Sequence, residues 1–412
     1  VLVLTHAFYP LFHGGVPRIA KFCKYLPEFG WIPTIVTIDW RGRIANKSAV
    51  DVKDPCKVIR VNADLNEFES NKLTLFNRLT IHMRRYGRTI DDVMYKSEER
   101  ELFIASRDVC TKFHFDLILA SSFPQYIHRI AKTISKEFDI PWVADHRDIY
   151  GQEPVLEAGF RRISREYDIR MGIQNDLKNC RTASRVVTVS NGLSSILQER
   201  LEKQIDVVTN GFDDDDFVGV SVQTKNPKMT IVYAGSFFGN SSCTTFFTAI
   251  KSIVNKYPRI RERIRIEFYG SCCDMFYEKN PIANGLNDVI ELNGNVDHRA
   301  AIQAICSADI LYLISHQAKG IATGKIYEYL RAGKPIISVP GDNDVTDMII
   351  RKSNAGKIAK DPEQVETILL DWFKEWETNA TIKYDVNADY ISQFNRKNLT
   401  NRLAEVFNQV IG

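Results

Sequence analysis

One segment of the chain combines a lysine and a glutamate with the pattern of a phosphate-binding loop. Residues 320–339 read GIATGKIYEYLRAGKPIISV, which predicts a two-glycine loop, a short helix and a buried strand. Lys325 and Glu328 are three residues apart, so they lie on one helix face near its N-terminus. That end of a helix attracts phosphate, and a carboxylate beside it can accept the two hydroxyls of a ribose. The segment indicates a site for a nucleotide diphosphate, although an ordinary helix with a surface Lys–Glu pair would give the same local pattern.

A second group of reactive side chains follows a predicted strand in the first half of the chain. Asp145, His146, Arg147 and Asp148 come directly after the apolar residues 142–144. Carboxylates and an imidazole can take or give protons, and an arginine can hold a phosphate or a carboxylate with two hydrogen bonds. The cluster therefore indicates a site for proton transfer or for binding an anionic group, with a structural Arg–Asp network as the alternative.

Size and composition place the chain among ordinary globular proteins of two or three domains. It has 412 residues, of which 44% are hydrophobic and 25% charged, with a net charge of +3. This balance gives no reason to expect a nucleic-acid partner, and no apolar run approaches the roughly 20 residues that span a bilayer. No signal peptide is visible in a chain that begins at Val1. We therefore expect a cytoplasmic protein.

The sequence gives no pattern that predicts a metal site. Its eight cysteines are scattered without a CxxC pair, so buried reduced thiols are expected rather than zinc ligands. Four consecutive aspartates at 213–216 are more typical of a solvated linker than of a cation site. We therefore expect no metal and no other cofactor.

Strands alternate with helices in both halves of the chain, which predicts two doubly wound parallel sheets. The opening is a βαβ unit in which Gly14 and Gly15 precede a helix with an apolar stripe, but it lacks the GxGxxG fingerprint of dinucleotide binding. We expect a first domain at 1–215, a second at 216–391, and a last helix at about 392–412 that crosses back to the first.

Most candidate residues fall just after predicted strands. Ligands of open α/β sheets bind beyond the carboxyl ends of the strands. The candidates at these positions are Gly14, Gly15, Asp145, Arg147, Asp148, Gly235, Ser236, Gly270, Thr323, Gly324 and Lys325. Two sheets that face each other across a cleft would bring both sets together, with the donor on the second domain and the acceptor on the first.

A basic segment in the first half has two interpretations. Residues 78–88 read RLTIHMRRYGR, with apolar residues between the charges. Such a segment can lie on an anionic membrane surface. It can equally be a solvated helix face.

The 320–339 segment resembles a motif of retaining glycosyltransferases of family 4, which have the two-domain GT-B fold and carry sequences like PSKLYEYLAAGKPII. The matching residues are Lys325, Glu328, Tyr329, Leu330, Ala332, Gly333, Lys334, Pro335, Ile336 and Ile337. Residues 144–150 also resemble the ADxRDxW motif of a subgroup, and Gly14–Gly15 resembles the family's first loop.

The resemblance implies transfer of a sugar from a nucleotide diphosphate, usually UDP, to a hydroxyl of a glycan or lipid-linked saccharide in surface polysaccharide biosynthesis. It implies that Glu328 binds the ribose, while Lys325 and the Gly235–Ser236 loop bind the diphosphate. Asp145, Arg147 and Asp148 would orient the acceptor. A lipid-linked acceptor would bring the protein to the inner face of the membrane.

Three departures from the family pattern leave alternatives open. Gly320 stands where many members have a glutamate that touches the transferred sugar, and residues 235–242 lack the Arg and Lys that many members use for diphosphate. The family's usual histidine has no clear match, because His114 and His128 are better interpreted as surface or packing residues. The alternatives are a UDP-sugar 2-epimerase and a non-catalytic scaffold that binds nucleotide-sugars.

Overall fold

The computed structural model describes residues 1–11, 15–40, 55–63, 95–152, 159–221, 226–237, 243–274, 276–315 and 320–412. Contacts divide the chain into unit 1, Val1–Thr209 with Arg396–Gly412, and unit 2, Asn210–Asn395. This division lies a few residues before the predicted boundary at residue 215. Phe212 pairs with Asn395 and Asp214 forms an ion pair with Arg331, so both contacts are made within unit 2.

Unit 1 contains a seven-stranded sheet in which every neighbouring pair is parallel. Its strands are β1 (Leu2–Thr5), β2 (Thr34–Ile38), β3 (Lys57–Val61), β4 (Ile118–Ser122), β5 (Trp142–His146), β6 (Arg185–Thr188) and β7 (Ile205–Val207). The order β3-β2-β1-β4-β5-β6-β7 means that the chain builds outward from β1 and then returns to its other side.

Unit 2 repeats this plan with six parallel strands. They are β8 (Met229–Ala234), β9 (Ile264–Tyr269), β10 (Ile290–Leu292), β11 (Ile310–Leu313), β12 (Ile336–Ser338) and β13 (Gly356–Ile358). The order is β10-β9-β8-β11-β12-β13, so the strand order reverses between β8 and β11. Both units are therefore doubly wound α/β folds, as predicted.

Helices connect the strands in both units. In chain order they are α1 (Val16–Tyr25), α2 (Lys96–Lys112), α3 (Tyr126–Phe138), α4 (Gly159–Cys180), α5 (Asn191–Leu201), α6 (Thr244–Lys256), α7 (Pro258–Arg263), α8 (Phe276–Lys279), α9 (His298–Ser307), α10 (Lys325–Ala332), α11 (Val345–Ser353), α12 (Pro362–Asn379), α13 (Ala388–Ser392) and α14 (Arg396–Ile411). Within the described ranges, no helix is long and apolar enough to cross a membrane.

The helix α14 belongs to the core of unit 1. Leu399, Leu403 and Phe407 recur every four residues and are buried in the same apolar cluster as Trp31. The rings of Trp31 and Phe407 are 5.2 Å apart, and the indole N–H donates to Asn408 Oδ1 at 3.0 Å. The end of the described chain therefore completes a core that begins near residue 1.

The core of unit 2 is rich in aromatic residues. Phe246 of α6 stacks on Tyr312 of β11 with ring centres 4.1 Å apart, and Phe268 of β9 packs against Phe276 at 4.8 Å. These large buried rings fix the two flanks of the sheet. The packed sheet therefore positions the loops that follow its strands.

Candidate functional site

The candidate residues of unit 2 lie at the point where its strand order reverses. Gly235 follows β8, and α10 follows the loop after β11, which pairs directly with β8. Gly270 follows β9, the other neighbour of β8. Parallel strands end at one edge, so Gly235, Gly270 and Lys325 meet where open α/β sheets bind ligands.

The side chain of Lys325 folds back over the bend at Gly235. Gly235 has a φ of 140°, which favours glycine. A Cβ at this position would overlap Lys325 Cε and lie 2.8 Å from Nζ. The Nζ atom is 5.3 Å from the centre of the Tyr233 ring, a cation–π distance. Burial lowers the pKa of Lys325 to about 8, so the ammonium is held in partly desolvated surroundings.

Gly270 brings a second loop against the first. Its φ is 103°, and a Cβ there would lie 2.6 Å from the carbonyl oxygen of Gly235. Gly235 N–H donates to Tyr269 O at 2.7 Å, and Gly235 O accepts from Cys272 N–H at 3.2 Å. Two glycines are therefore required for the backbones after β8 and β9 to touch.

Ser236 joins the same pair of loops through its side chain. Its Oγ is 2.6 Å from Ser271 Oγ, and its carbonyl accepts from the Tyr233 hydroxyl at 2.8 Å. Ser236 is half-buried. The hydroxyl pair is a polar surface beside the Lys325 ammonium.

The helix α10 is attached to β8, and its N-terminus lacks a side-chain cap among the described residues. Tyr329 accepts from the backbone N–H of Ala234 at 3.1 Å, which ties α10 to β8. Thr323 O and Gly324 O accept the first N–H bonds, from Ile326 and Tyr327. Gly324 is exposed. The free donors expected at such a helix end suit an anion.

Glu328 has a partner that the sequence did not suggest. Its Oε1 atom lies 2.9 Å from Nε2 of His298, and the two side chains are 32% and 25% exposed. His298 is the first residue of α9, after the N-cap Asp297. Nothing in the sequence relates residue 298 to residue 328. The imidazole orients a carboxylate that remains accessible.

Gly320 is also positioned. Its backbone N–H donates to Asp344 Oδ2 at 2.6 Å, and its φ is 79°. The loop that leads to α10 is thus attached to the loop before α11 at the residue where family 4 members often have a glutamate.

In unit 1, Asp145 is enclosed at the end of β5. The Nε and Nη2 atoms of Arg18 donate to the carboxylate at 2.8–3.2 Å, and Ser121 Oγ donates at 2.8 Å. Burial alone would raise the pKa of Asp145, but the charge and hydrogen bonds of Arg18 outweigh it and the pKa is lowered. Asp145 is 1% exposed. This corrects the expectation that it contacts an acceptor, because both carboxylate oxygens are engaged inside the protein.

Arg147 and Gly15 are brought together, whereas Asp148 stays exposed. A Cβ at Gly15 would fall on the Arg147 guanidinium. Arg147 donates to Ser122 O and, at 2.8 Å, to Phe123 O. The arginine therefore lies across the start of α1, beside the carboxyl ends of β4 and β5. Gly14 lies outside the described residues.

His6 is a further candidate functional residue of unit 1, which the sequence analysis did not identify. It directly follows β1, and its Nδ1 atom is 2.7 Å from the hydroxyl of Tyr126. Burial and the charge of Arg147 lower the pKa of His6 to about 4. A neutral imidazole therefore lies at the edge of the unit 1 sheet. The available signal was its position, one residue past the first strand.

No protein-family model matches the chain, and no protein of curated function matches it either. Solved structures do match. Anabaena HepE in complex with UDP and glucose is 13% identical, with 99% of each chain covered and a TM-score of 0.61. Sucrose-phosphate synthase from Thermosynechococcus elongatus is 12% identical, with 99% of this chain and 98% of that chain covered and a TM-score of 0.63.

A third similar structure is WaaG, a glycosyltransferase involved in lipopolysaccharide biosynthesis. It is 12% identical over 99% of each chain, with a TM-score of 0.61. Identities this low establish the fold and not the activity. The likeness spans nearly the whole chain and confirms the predicted GT-B class of two Rossmann-like domains.

Proposed function

We propose that this chain is a retaining glycosyltransferase that moves a sugar from a UDP-sugar to a hydroxyl of a glycan or lipid-linked saccharide. The observation that carries the proposal is the position of Lys325. Its ammonium is held over the Gly235 bend, at the start of α10, with Glu328 one helical turn further on. A positive charge for a diphosphate and a carboxylate for a ribose are therefore carried within one turn of the same helix.

The chemistry of this arrangement suits a departing nucleotide. Negative charge grows on the diphosphate as the bond to the sugar breaks, and donors already in place stabilise that charge. Lys325 would supply the cation, while Ser236 and the backbone N–H groups at the start of α10 would supply hydrogen bonds. We therefore propose that these groups, without a metal ion, stabilise the diphosphate.

The choice of UDP and of retention rests on similarity. The 320–339 segment resembles the family 4 motif, and HepE has been solved with UDP-glucose. A role in surface polysaccharide synthesis has the same kind of support, since WaaG acts in lipopolysaccharide biosynthesis. We extend these features to the present chain as part of the proposal.

Unit 1 would bind the acceptor through residues at the carboxyl ends of its strands. Gly15 and Arg147 are in contact there, and Asp148 is exposed nearby. We assign no protein base to the reaction. Contact with a membrane depends on the basic segment 78–88, which lies outside the described residues.

A nucleotide panel tests the proposal. The full-length chain is titrated by calorimetry with UDP-, GDP-, ADP- and CMP-sugars, and donor hydrolysis is followed in parallel. We expect binding of UDP-sugars with slow hydrolysis. Lys325→Met should weaken binding by about tenfold or more, because a hydrogen bond to a charged group is lost. Lys352→Met, at an exposed lysine of α11, is the matched control and should bind normally.

Other outcomes would favour other functions. Conversion of the donor sugar without an acceptor would favour the epimerase. Tight binding with neither donor hydrolysis nor transfer to any acceptor would favour the scaffold. Gly320 in place of a glutamate also favours it. No binding of any nucleotide by the folded chain would reject the donor site itself.

A further inference from the structure

Four buried side chains from three elements of unit 1 converge away from the candidate acceptor residues. They are His128 of α3, His146 at the end of β5, and Asp176 and Cys180 of α4, and none is more than 6% exposed. One ligand atom from each lies within 4.8 Å of the others. Asp176 and Cys180 are four residues apart and share one face of α4.

The separations from Cys180 Sγ are those of a tetrahedral zinc site. Cys180 Sγ is 3.4 Å from His128 Nδ1, 3.3 Å from His146 Nε2 and 3.5 Å from Asp176 Oδ1. Zinc bonds of about 2.0–2.3 Å in tetrahedral geometry place ligand atoms roughly 3.3–3.7 Å apart. His128 Nδ1 and Asp176 Oδ1 are 2.9 Å apart, a hydrogen-bond distance, so these two side chains would move slightly apart to admit an ion.

Each imidazole has one nitrogen in contact with Cys180. These nitrogens are His128 Nδ1 and His146 Nε2, and they are the candidate ligands. The other two, His128 Nε2 and His146 Nδ1, have no hydrogen-bond partner within the part of the chain that the structure describes, although His146 Nδ1 lies 3.6 Å from Asp176 Oδ2. An ion bound by the first pair would leave the second pair as they are.

The charges also balance around a divalent ion. A thiolate from Cys180 and a carboxylate from Asp176 carry two negative charges, and two neutral imidazoles add none. Zinc would make the cluster neutral in a region where an uncompensated charge is costly. Zinc prefers imidazole nitrogen and thiolate sulfur as ligands, whereas magnesium and calcium prefer oxygen.

We propose that His128, His146, Asp176 and Cys180 bind one zinc ion. Four protein ligands leave no open position, which makes the site structural. The ion would join α3, β5 and α4 immediately before Arg147, and so hold the end of β5 beneath the candidate acceptor residues. This revises the sequence expectation of no metal, while the transfer chemistry still needs none. The site does not depend on the proposed transferase activity.

Metal analysis of the full-length protein tests the site directly. The chain is produced in zinc-supplemented medium, passed over a desalting column and measured by inductively coupled plasma mass spectrometry. We expect close to one zinc per chain. Cys180→Ser should lose most of it, whereas Cys110→Ser, at another buried cysteine of unit 1, should keep it.

Cobalt substitution gives a spectroscopic signal only if the cluster binds a metal ion. A cluster held by hydrogen bonds alone would give none. Apoprotein prepared with 1,10-phenanthroline is incubated with Co²⁺ alone. We expect visible bands of tetrahedral cobalt and a near-ultraviolet thiolate-to-cobalt band, with the thiolate band absent in Cys180→Ser. If Cys180→Ser fails to fold, Asp176→Asn replaces it, and that variant should bind the ion more weakly.

The inference is overturned if the folded wild-type chain carries no zinc and gives no tetrahedral cobalt spectrum. It is also overturned if Cys110→Ser loses metal to the same extent as Cys180→Ser, since the metal would then lie elsewhere. The wild-type measurement decides the matter even if every cluster variant is unstable.

Discussion

The side chain of Lys325 occupies the space that a Cβ atom at position 235 would take. Glycine at 235 therefore has two roles: it adopts a φ of 140°, and it lets the lysine return across the backbone instead of extending into solvent. The ammonium is thereby fixed at the edge of the sheet before any ligand arrives. A cation positioned in advance loses less freedom when it binds an anion.

Gly235→Ala should weaken nucleotide binding more than it weakens the fold. The positive φ costs about 1–3 kcal/mol in an alanine, and the new methyl group displaces Lys325. Gly285→Ala is the matched control, because Gly285 has a φ of 86° and no atoms within 4 Å of a Cβ. Calorimetry with a UDP-sugar should show about a tenfold loss or more in the first variant only. Equal affinity in both variants would argue against the Lys325 assignment.

Nucleotide affinity should fall as pH rises through about 8. Burial lowers the pKa of Lys325 to about 8, and only the protonated form attracts a diphosphate. Affinity is therefore highest below that pH and decreases above it as the ammonium deprotonates. In Lys325→Arg the decrease should disappear, since a guanidinium stays charged. Any pH dependence that comes from titration of the nucleotide itself should remain in Lys325→Arg. If nucleotide affinity depended on pH identically in the wild-type chain and in Lys325→Arg, the role of Lys325 would be contradicted.

Glu328→Ala should remove a preference for ribose over 2′-deoxyribose. The wild-type chain is expected to bind UDP about tenfold more tightly than 2′-deoxy-UDP, because a hydroxyl donating to a carboxylate is a charge-assisted hydrogen bond. His298→Ala should reduce that preference partly, since the carboxylate loses the imidazole 2.9 Å away that orients it. Glu363→Ala, at an exposed position of α12, serves as control. A preference that survives in Glu328→Ala would move the ribose site elsewhere.

Asp145→Asn should destabilise unit 1 by about 3 kcal/mol or more, because it leaves the buried Arg18 guanidinium without a counter-charge. The comparison is Asp206→Asn, which breaks a two-bond pair with Arg185 whose side chains are 16% and 24% exposed. Because water screens this pair more than the fully buried pair of Asp145, its loss should cost less. Urea unfolding of both variants measures the difference. Similar losses would mean that Asp145 is not the structural residue described above.

Local patterns in the sequence were sufficient for much of the fold. The helix α3 follows from its own sequence, because Ile127, Ile130 and Ile134 form an apolar stripe. Asp139 ends that helix in the left-handed conformation. The proximity of Lys325 and Glu328 also follows from spacing on one helix. Each of these features depends on residues less than about four positions apart.

Contacts between distant residues could not be predicted in this way. Arg18 reaches Asp145 across 127 positions, and no local pattern indicates that an arginine within the first helix would be buried. The same holds for His298 beside Glu328. The four residues of the proposed zinc site come from three elements, and their single local signal is the four-residue spacing of Asp176 and Cys180. Pairings of this kind depend on strand order, which one sequence does not reveal.

The position of α14 has a consequence for how the chain folds during synthesis. Leu399, Leu403 and Phe407 fill a core whose members outside α14 lie between Val1 and Val208, and those residues are therefore made long before this helix. Unit 1 therefore cannot close while it emerges from the ribosome, although unit 2 is contiguous and can fold as soon as it is made. A ribosome that stalls before residue 396 would release a chain with apolar surface exposed around Trp31, a natural target for chaperones and proteases. Completion of the unit 1 core therefore depends on translation having passed through α14.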